Sequence, residues 1–558
     1  MISYLLRWCC ITFVVLATAK GAIQSTTKTI PLNKNLTTVN KELYAEFIHL
    51  NRSSTLQVNF TDVGKSLSFI IFQVHSHLYS VKIKISSSNK TVTGTNIGVY
   101  KSIEDLSMLE VVNLNQDVDL KLFVTVLGYK KEDPIPGGCN LEFSLPISPF
   151  MKAVLRNKTN IVIEAAPPQV VQLDPECTNT LSFVSMRFYM MYLPEQNYNP
   201  DVYFDAIRSM TTLDNIRKNG YLIPESAKFW VIRRMVSAYP GTGAVYVAIA
   251  KIDINRYSVY VPTHSYACSP LVENDCELLE DSTSMFISVL LFFLGTFLCY
   301  FGHWFFKTQI LAIGFLSGFV VTYIIVSLTF TIDNTGLVKA AAISGLCMGA
   351  LRLVCWWLYG IPAYIIVLSS ADVGFLIASI FYYISPGGVY LQSNLVFWSI
   401  FILVILVTTI CLLWLSNVAS MMCTSVIGGY TAIYPLDYYM GSNLKYIMNN
   451  IVRRATVPEF NMAVIYPPCE WRDIFLIIVW ALLAVTGFLY QFYYNKGRSP
   501  FPPPPRSIRA VPETPTVPTI RRRSSVVIFW QMWVQRCRQR RTPSYVRNIN
   551  ERTPLLEE

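Results

Sequence analysis

The sequence changes character at about Met285, and this break constrains the fold more than any other feature. Residues 20–284 mix polar positions with short runs of Val, Ile, Phe and Tyr, whereas residues 285–494 form long apolar segments separated by short polar gaps. Hydrophobic residues occupy 52% of the 558 positions, more than a soluble protein of ordinary composition carries. We therefore expect an aqueous domain followed by a membrane domain.

The apolar part contains seven segments that approach the roughly 20 residues needed to cross a bilayer. They are residues 285–306, 309–330, 337–359, 361–385, 395–418, 419–440 and 473–494. Residues 285–494 are thus predicted to form a multi-pass α-helical domain of seven spans. Two glycine pairs at helical spacing, Gly314 with Gly318 and Gly345 with Gly349, favour close helix packing within this bundle over oligomerisation.

Residues 1–19 have the pattern of a cleaved signal peptide, with Arg7, a short apolar run and Ala17-Thr18-Ala19. A retained first helix is the alternative. In either case residues 20–284 are predicted to face the lumen or the cell exterior, and seven crossings place the C-terminus in the cytosol. Five N-glycosylation sequons agree with this orientation, since all of them precede the first span. They begin at Asn35, Asn51, Asn59, Asn89 and Asn157.

The net charge of +11 is local, since residues 495–558 hold 13 basic and 4 acidic residues whereas residues 20–284 hold 25 of each. This distribution argues against nucleic acid as a partner. A basic tail beside a bilayer favours contact with anionic lipid headgroups and agrees with the positive-inside rule. Arg453 and Arg454, in the outer loop 441–472, are exceptions to that rule.

Four cysteines remain in the ectodomain after the signal peptide: Cys139, Cys177, Cys268 and Cys276. An even set in an oxidising compartment predicts disulfides, and four cysteines allow three pairings. We prefer Cys139 with Cys177 and Cys268 with Cys276, because both pairs need only local closure.

The ectodomain pattern is mainly that of strands. They are predicted at residues 66–74, 79–86, 119–128, 160–165, 181–192, 229–236, 244–252 and 256–261. One helix is predicted at residues 202–218, with Asn199 as the N-cap and Pro200 at the first helical position. The expected fold is two β-rich modules of sandwich or jelly-roll type, residues 20–166 and 167–284.

Seven spans alone do not indicate a G-protein-coupled receptor. The cytosolic connections at residues 306–308, 360–362 and 416–420 are too short for a G protein to dock. An intramembrane zinc hydrolase is also disfavoured, because such sites need three converging ligands and only His303 of the five histidines lies in a predicted span. His75 and His77 are expected on one face of an ectodomain strand, solvated rather than holding a metal. We predict no catalytic residue, metal or cofactor.

Two ionisable residues are predicted at depth in the membrane, Arg352 in the third span and Asp372 in the fourth. The turn at Gly360 places them within one helical turn of the same height. Charges at depth are costly and usually face one another or a wet cavity. An ion or proton site is one interpretation, and a pair that pins the helical hairpin is the preferred one.

The tail carries two short signals. Three arginines precede Ser525, as in substrates of basophilic kinases, and phosphate there would weaken the attraction to lipid. Glu551 precedes Leu555 and Leu556 as in an acidic dileucine sorting signal, which predicts adaptor binding in the cytosol.

Several segments, in order along the chain, resemble the transmembrane 7 superfamily member 3 family. They are residues 133–143, 260–269, 301–308 and 551–556. The spans are also similar to those of the transmembrane protein 198 family. The resemblance implies a multi-pass glycoprotein that supports cell survival and restrains endoplasmic-reticulum stress and the unfolded-protein response, with no catalytic residues to carry over.

The combined prediction is a non-enzymatic membrane glycoprotein that binds an unknown lumenal or extracellular protein through its ectodomain. Its location would be the plasma membrane or the endolysosomal and secretory-pathway membranes. A transporter or channel using Arg352 and Asp372 is the alternative, and an orphan receptor not coupled to G proteins is a further one.

Overall fold

The computed structural model describes residues 25–33, 41–86, 90–225, 231–276, 282–330, 333–385, 389–496 and 501. The predicted signal peptide at residues 1–19 lies outside these ranges, as do nearly all of residues 495–558.

The N-terminal part of the chain forms a β-sandwich. Its strands are β1 Ser25–Pro31, β2 Glu42–Leu50, β3 Thr55–Thr61, β4 Phe69–Ser76, β5 Val81–Ile85, β6 Thr91–Gly94, β7 Asn96–Ser102, β8 Leu109–Asn113 and β9 Leu120–Tyr129. One sheet has the order β1-β3-β8-β5-β6 and the other β2-β9-β4-β7. Phe60 and Phe72 meet between the sheets with ring centroids 6.0 Å apart. Residues alternate between buried and more exposed along β5, as the sequence pattern predicts.

A second β-sandwich follows. Its strands are β10 Met151–Arg156, β11 Asn160–Ala165, β12 Ser185–Tyr192, β13 Tyr221–Ile223, β14 Arg233–Ser237, β15 Ala244–Lys251, β16 Tyr257–Val259 and β17 Thr263–Ser265. Strands β10-β11-β14 form one sheet, and β13-β12-β15-β16 form the other, with β17 also paired to β15. Ile163 and Phe188 belong to the core between these sheets. Three short helices accompany them: α1 Thr180–Phe183, α2 Pro200–Ser209 and α3 Leu213–Asn219.

The structure corrects two predictions for the ectodomain. The expected module boundary at residues 166/167 is wrong, because β11 ends at Ala165 and pairs with β14, so one sheet contains strands from both sides. The single helix expected at residues 202–218 is two helices, because Thr212 adopts an extended conformation and caps α3. The predicted N-cap is present, since Asn199 Oδ1 accepts the Asp201 backbone N–H at 2.9 Å.

The C-terminal part is a helical bundle. Its helices are α4 Ser282–Phe301, α5 Phe306–Thr329, α6 Asn334–Tyr359, α7 Pro362–Ile384, α8 Asn394–Leu413, α9 Ser416–Met440, α10 Tyr446–Thr456 and α11 Trp471–Tyr494. Gly360 ends α6 in the left-handed conformation (φ 60°), which a glycine adopts without steric cost. Pro362 then opens α7, so the two helices form the tight hairpin that the sequence predicts.

Five helices of the described chain, α5, α6, α7, α8 and α11, are long and apolar enough to cross a membrane. The predicted count of seven is therefore not confirmed. The apolar portion Met285–Phe301 of α4 is shorter, and α9 is rich in Ser, Thr and Gly. Several polar residues of α9 are buried in the bundle: Ser420, Thr424, Ser425, Thr431 and Asp437.

Helices α5 and α6 pack through the two predicted glycine pairs. A Cβ atom on Gly314 would lie 2.7 Å from Gly349 Cα, and one on Gly349 would lie 2.5 Å from the Leu311 carbonyl oxygen. Side chains at these positions would push the two backbones apart. The glycines thus serve packing within the bundle, as preferred from the sequence.

Candidate functional site

The ectodomain is joined to one end of the bundle by the loop between α9 and α11. Val464 of this loop pairs with Val236 of β14, and hydrogen bonds connect Val464 N–H to the Met235 carbonyl (2.9 Å) and Ser237 N–H to the Val464 carbonyl (3.0 Å). The loop thereby extends the β10-β11-β14 sheet. Tyr192 of the facing sheet also donates a hydrogen bond to the Tyr466 carbonyl at 2.6 Å.

A buried ionic cluster lies at this junction and combines residues distant in sequence. Lys445 Nζ lies 3.5 Å from Glu195 Oε1 of the ectodomain and 3.3 Å from Asp437 Oδ2 of α9. The three side chains are at most 1% exposed. The rings of Tyr438 and Tyr446 flank the ammonium group, each with its centroid 5.3 Å away. We call Glu195, Asp437 and Lys445 the junction triad.

Further hydrogen bonds hold the junction triad in place. Asp437 accepts the backbone N–H groups of Leu444 (2.9 Å) and Lys445 (3.1 Å), so its carboxylate also shapes the start of α10. The backbone N–H of Glu195 donates to Glu470 Oε1 at 2.9 Å, and Glu470 is the N-cap of α11. The ectodomain segment at Glu195 is therefore attached to both α10 and α11.

The charges of the junction triad do not balance when all three groups are ionised, since two carboxylates face one ammonium group. Burial raises the pKa of Glu195 to about 7, and the attraction of Lys445 opposes that increase only in part. Glu195 Oε2 has no hydrogen-bond partner among the described residues, which also favours the neutral acid. The contact between ectodomain and bundle therefore contains a carboxyl group whose pKa is raised by burial.

The two arginines that depart from the positive-inside rule are also part of this junction. Arg453 donates to the Ala238 carbonyl of the ectodomain at 2.8 Å, and Arg454 donates to the carbonyls of Leu391 (2.8 Å) and Asn461 (3.1 Å). These bonds give a structural reason for arginine in an outer loop. Sequence analysis recorded the two residues only as topological exceptions.

The intramembrane pair is brought together as the sequence predicts. Arg352 Nη1 of α6 donates to Asp372 Oδ2 of α7 at 2.9 Å, and both side chains are partly buried. Each charge thereby receives a partner of opposite sign across the hairpin. This geometry agrees with the preferred interpretation of a pair that pins α6 to α7.

His303, the third intramembrane candidate, lies in the turn after α4 rather than within a helix. Its backbone N–H donates to Gln491 Oε1 at 3.1 Å, and Thr424 donates to the same oxygen at 3.2 Å. Gln491 Nε2 donates to the Cys299 carbonyl at 2.7 Å. Gln491 therefore ties α4, α9 and α11 together, and His303 belongs to that polar contact.

The prediction of a solvated strand face at His75 and His77 is wrong. His75 is fully buried, and both imidazoles lie at the contact between the two sandwiches, with His264 of β17 beside them. Asn96 connects the cluster: its Oδ1 accepts from His75 Nδ1 (2.6 Å) and from Tyr203 (2.6 Å), while its Nδ2 donates to His264 Nδ1 at 2.7 Å.

Hydrogen bonds and burial both act on the protonation of this histidine cluster. His264 Nδ1 accepts a hydrogen bond from Asn96, and His77 Nε2 shares a hydrogen bond of 2.8 Å with the Tyr266 hydroxyl. Burial lowers the pKa of His75 and of His77 to about 4 and that of His264 to about 3. Within the described residues, no group of three or more His, Cys, Asp or Glu side chains is arranged to hold a metal ion.

Both preferred disulfides are present. Cys139 pairs with Cys177 and Cys268 pairs with Cys276. The first spans 38 positions of sequence and crosses the wrongly expected module boundary, whereas the second closes a loop of 8 positions.

Three of the five sequons fall on described residues. Asn51 and Asn157 are exposed in turns, and Asn59 is half-buried in β3. Asn35 and Asn89 lie outside the described residues, as do the tail signals at Ser525, Glu551, Leu555 and Leu556. Their proposed roles stay predictions.

The junction triad was not predicted from the sequence. Asp437 carried a usable signal, since an acidic residue inside a predicted span is as unusual as Asp372. Glu195 and Lys445 carried none, because a charged residue in an ectodomain or an outer loop is normally solvated. They are 250 positions apart.

Three family models match successive parts of the chain. The model described as "TM7SF3-like, N-terminal immunoglobulin-like domain" matches residues 36–129, and "TM7SF3-like, second immunoglobulin-like domain" matches residues 134–271. The model "TM7S3/TM198-like domain" matches residues 288–492. The two sandwiches are thus immunoglobulin-like, and the second begins near residue 134, consistent with the corrected boundary.

Curated proteins named transmembrane 7 superfamily member 3 are similar over most of the chain. The Homo sapiens protein is 27% identical over 477 residues, which cover 82% of this chain and 83% of the relative. The Rattus norvegicus protein is 26% identical over 535 residues, which cover 91% of this chain and 93% of the relative.

Proposed function

This chain belongs to the transmembrane 7 superfamily member 3 family, and from that membership we propose that it is a non-enzymatic membrane glycoprotein that recognises a partner through its immunoglobulin-like domains. By the same resemblance, it promotes cell survival by restraining endoplasmic-reticulum stress and the unfolded-protein response. The partner is a lumenal or extracellular protein.

The observation that carries this proposal is the junction between ectodomain and bundle. A domain that served only as a tethered binding module would need no more than a flexible connection to its membrane anchor. Here the second sandwich shares a sheet with the outer loop, and Glu195 is buried against Lys445 and Asp437. Such a connection supports a role in which partner binding outside is transmitted to the helices.

The proposed topology has seven crossings, with the N-terminus lumenal or extracellular and the C-terminus cytosolic. In this topology α4 and α9 cross the membrane in addition to the five helices that qualify by length and composition. The burial of α9 supports its place inside the bundle. The basic tail would then meet anionic lipid, and Leu555 and Leu556 would direct sorting through a cytosolic adaptor among secretory-pathway, plasma and endolysosomal membranes.

The rival function is transport of an ion or small solute by Arg352 and Asp372. The contact of 2.9 Å between the two side chains supports a packing role instead, because two opposite charges that bind each other do not by themselves form a conduction path. An orphan receptor is the further rival, and it would require that ligand binding alters a cytosolic response.

The test compares rescue of cells that lack the protein, using a reporter of the unfolded-protein response under tunicamycin. Wild type and Asp372→Asn should both lower the reporter signal. Lys445→Met should fail to do so, at equal membrane abundance of all three proteins. Loss of rescue by Asp372→Asn at equal abundance would favour transport, and an inactive wild type would contradict the stress role.

A further inference from the structure

A basic groove lies on the second immunoglobulin-like domain, between its helix-covered sheet face and α3. Three cationic side chains line it: Arg187 of β12, Arg217 of α3 and Lys251 at the end of β15. The rings of Tyr189 and Tyr257 form part of its wall. None of the residues that line the groove takes part in the contacts of the junction triad.

The strand register explains why the cations converge. Residues 187 and 189 lie on one face of β12, as residues 249 and 251 do on β15, because side chains alternate along a strand. Tyr189 and Ile249 pack in the same core as Leu213 of α3, so this is the face that α3 covers. Arg187 and Lys251 project from that face beyond the packed core, and Arg217 in the last turn of α3 meets them.

None of these cations forms a salt bridge with a described residue, although Asp214 of α3 lies close enough to act on Tyr257 together with Arg217. The side chains of Arg187, Arg217 and Lys251 form no ion pair and no hydrogen bond with any other described residue. Nearby Asp253 is already bonded to Arg256, with Arg256 Nε 2.6 Å from its Oδ2. Like charges that converge on one groove repel one another, and a bound anion removes that cost.

The groove also has an apolar rim. Ile254, in the turn between β15 and β16, is 75% exposed although it is a large aliphatic residue. A surface of this kind, with cations around an exposed aliphatic side chain, complements a carboxylate next to an apolar side chain. A long sulfated polymer would need cations spaced along a track, whereas these three line a single small groove.

We propose that this groove binds an acidic segment of a partner protein, in which a Glu or Asp side chain lies beside an apolar one. The carboxylate would meet Arg187, Arg217 and Lys251, and the apolar side chain would cover Ile254. This inference rests on the proposed function, because it names the chemistry of the partner that the ectodomain recognises.

The test uses the full-length protein in lipid nanodiscs and a fluorescein-labelled peptide of alternating Glu and Leu, followed by fluorescence anisotropy. The double variant Arg187→Glu with Arg217→Glu should weaken binding by about tenfold or more, and added salt should weaken binding to wild type. Lys218→Glu is the matched control, since Lys218 is exposed on the same helix but does not line the groove. Its affinity should stay within about twofold of wild type.

Three results would overturn the inference: equal binding of a peptide with Gln in place of Glu, unchanged affinity in the double variant, or displacement of the peptide by heparin with tighter binding of heparin itself. Failure of this inference is distinguishable from failure of the proposed function. If the double variant still lowers the stress reporter while peptide binding is lost, the groove is not the recognition surface, whereas an inactive wild type refutes the proposed function.

Discussion

Acidification should destabilise the protein through the histidine cluster between its two immunoglobulin-like domains. The variant His75→Asn removes one titrating group of that cluster, so its contribution to the unfolding free energy can be measured. His75 is buried and donates from Nδ1 to Asn96. An asparagine at this position retains an N–H donor near the same place but cannot take up a proton. The smaller side chain leaves a cavity, whose cost does not depend on pH.

Burial lowers the pKa of His75 from 6.5 to about 4. As the pH falls, the unfolded chain therefore binds this proton before the folded protein does. The associated stability is present above the unfolded value and is lost as the pH falls towards about 4. Between about pH 7 and about pH 5, His75 alone should remove about 2 kcal/mol of unfolding free energy.

His77 and His264 act in the same direction, since burial lowers the pKa of each. Both are partly exposed, so their contribution is smaller than burial alone implies. The uncharged groups Gln73, Asn96, Tyr203 and Tyr266 face the cluster. A proton on His264 Nδ1 would also break its hydrogen bond from Asn96.

Glu195 acts in the opposite direction, because its pKa is raised to about 7 and its folded form takes up a proton first on acidification. The informative quantity is therefore the difference between variants rather than one curve. Unfolding of the full-length protein in detergent would be followed at several pH values for wild type, His75→Asn and the exposed control His49→Asn. Wild type should lose about 2 kcal/mol more than His75→Asn over this range, and parallel curves would refute the reasoning.

Three other changes should affect the stability of the full-length protein, measured by thermal unfolding in detergent. Lys445→Met leaves two carboxylates buried without a cation and should cost about 3–5 kcal/mol of unfolding free energy. The loss should be smaller at lower pH, because Glu195 then binds a proton, and a loss that does not vary with pH would contradict this. Gly349→Leu should separate α5 from α6 and lower the melting temperature. An unchanged melting temperature would show that the two helices do not need close contact at this glycine. Cys139→Ser with Cys177→Ser should cost about 2–5 kcal/mol, more than loss of the shorter Cys268–Cys276 loop, and equal losses would argue against the loop-entropy explanation.

Much of the architecture followed from local patterns. Seven of the eight bundle helices begin and end within a few residues of a predicted span, and only α10 falls in a predicted loop. A run of apolar residues long enough to cross a bilayer predicts a helix wherever it occurs. Gly360, Pro362 and Asn199 marked helix ends through backbone geometry that depends on single residues. The pair Arg352 and Asp372 was also accessible, since a short turn fixes the relative height of two adjacent helices.

Other features depended on contacts between distant segments. The module boundary predicted at residues 166/167 is crossed by the pairing of β11 with β14, and local composition does not reveal such a pairing. His75 and His77 were predicted on a solvated strand face, because nothing in the local sequence shows that β17 and α2 cover them. The count of seven spans stayed unconfirmed because the apolar portion of α4 is short and α9 contains polar residues. Several of these residues, such as Thr424 and Asp437, are buried in the bundle, and composition alone does not show which residues are buried.

The sequence by itself determined the division into ectodomain, bundle and tail, since hydrophobicity and sequon placement are properties of local composition. Only the tertiary structure decided where charge is buried. Glu195 and Lys445 look solvated in sequence, and they meet because a loop of the bundle completes a sheet of the ectodomain. The cost of burying a charge depends on what surrounds it in space, and that surrounding is assembled from segments that the sequence keeps far apart.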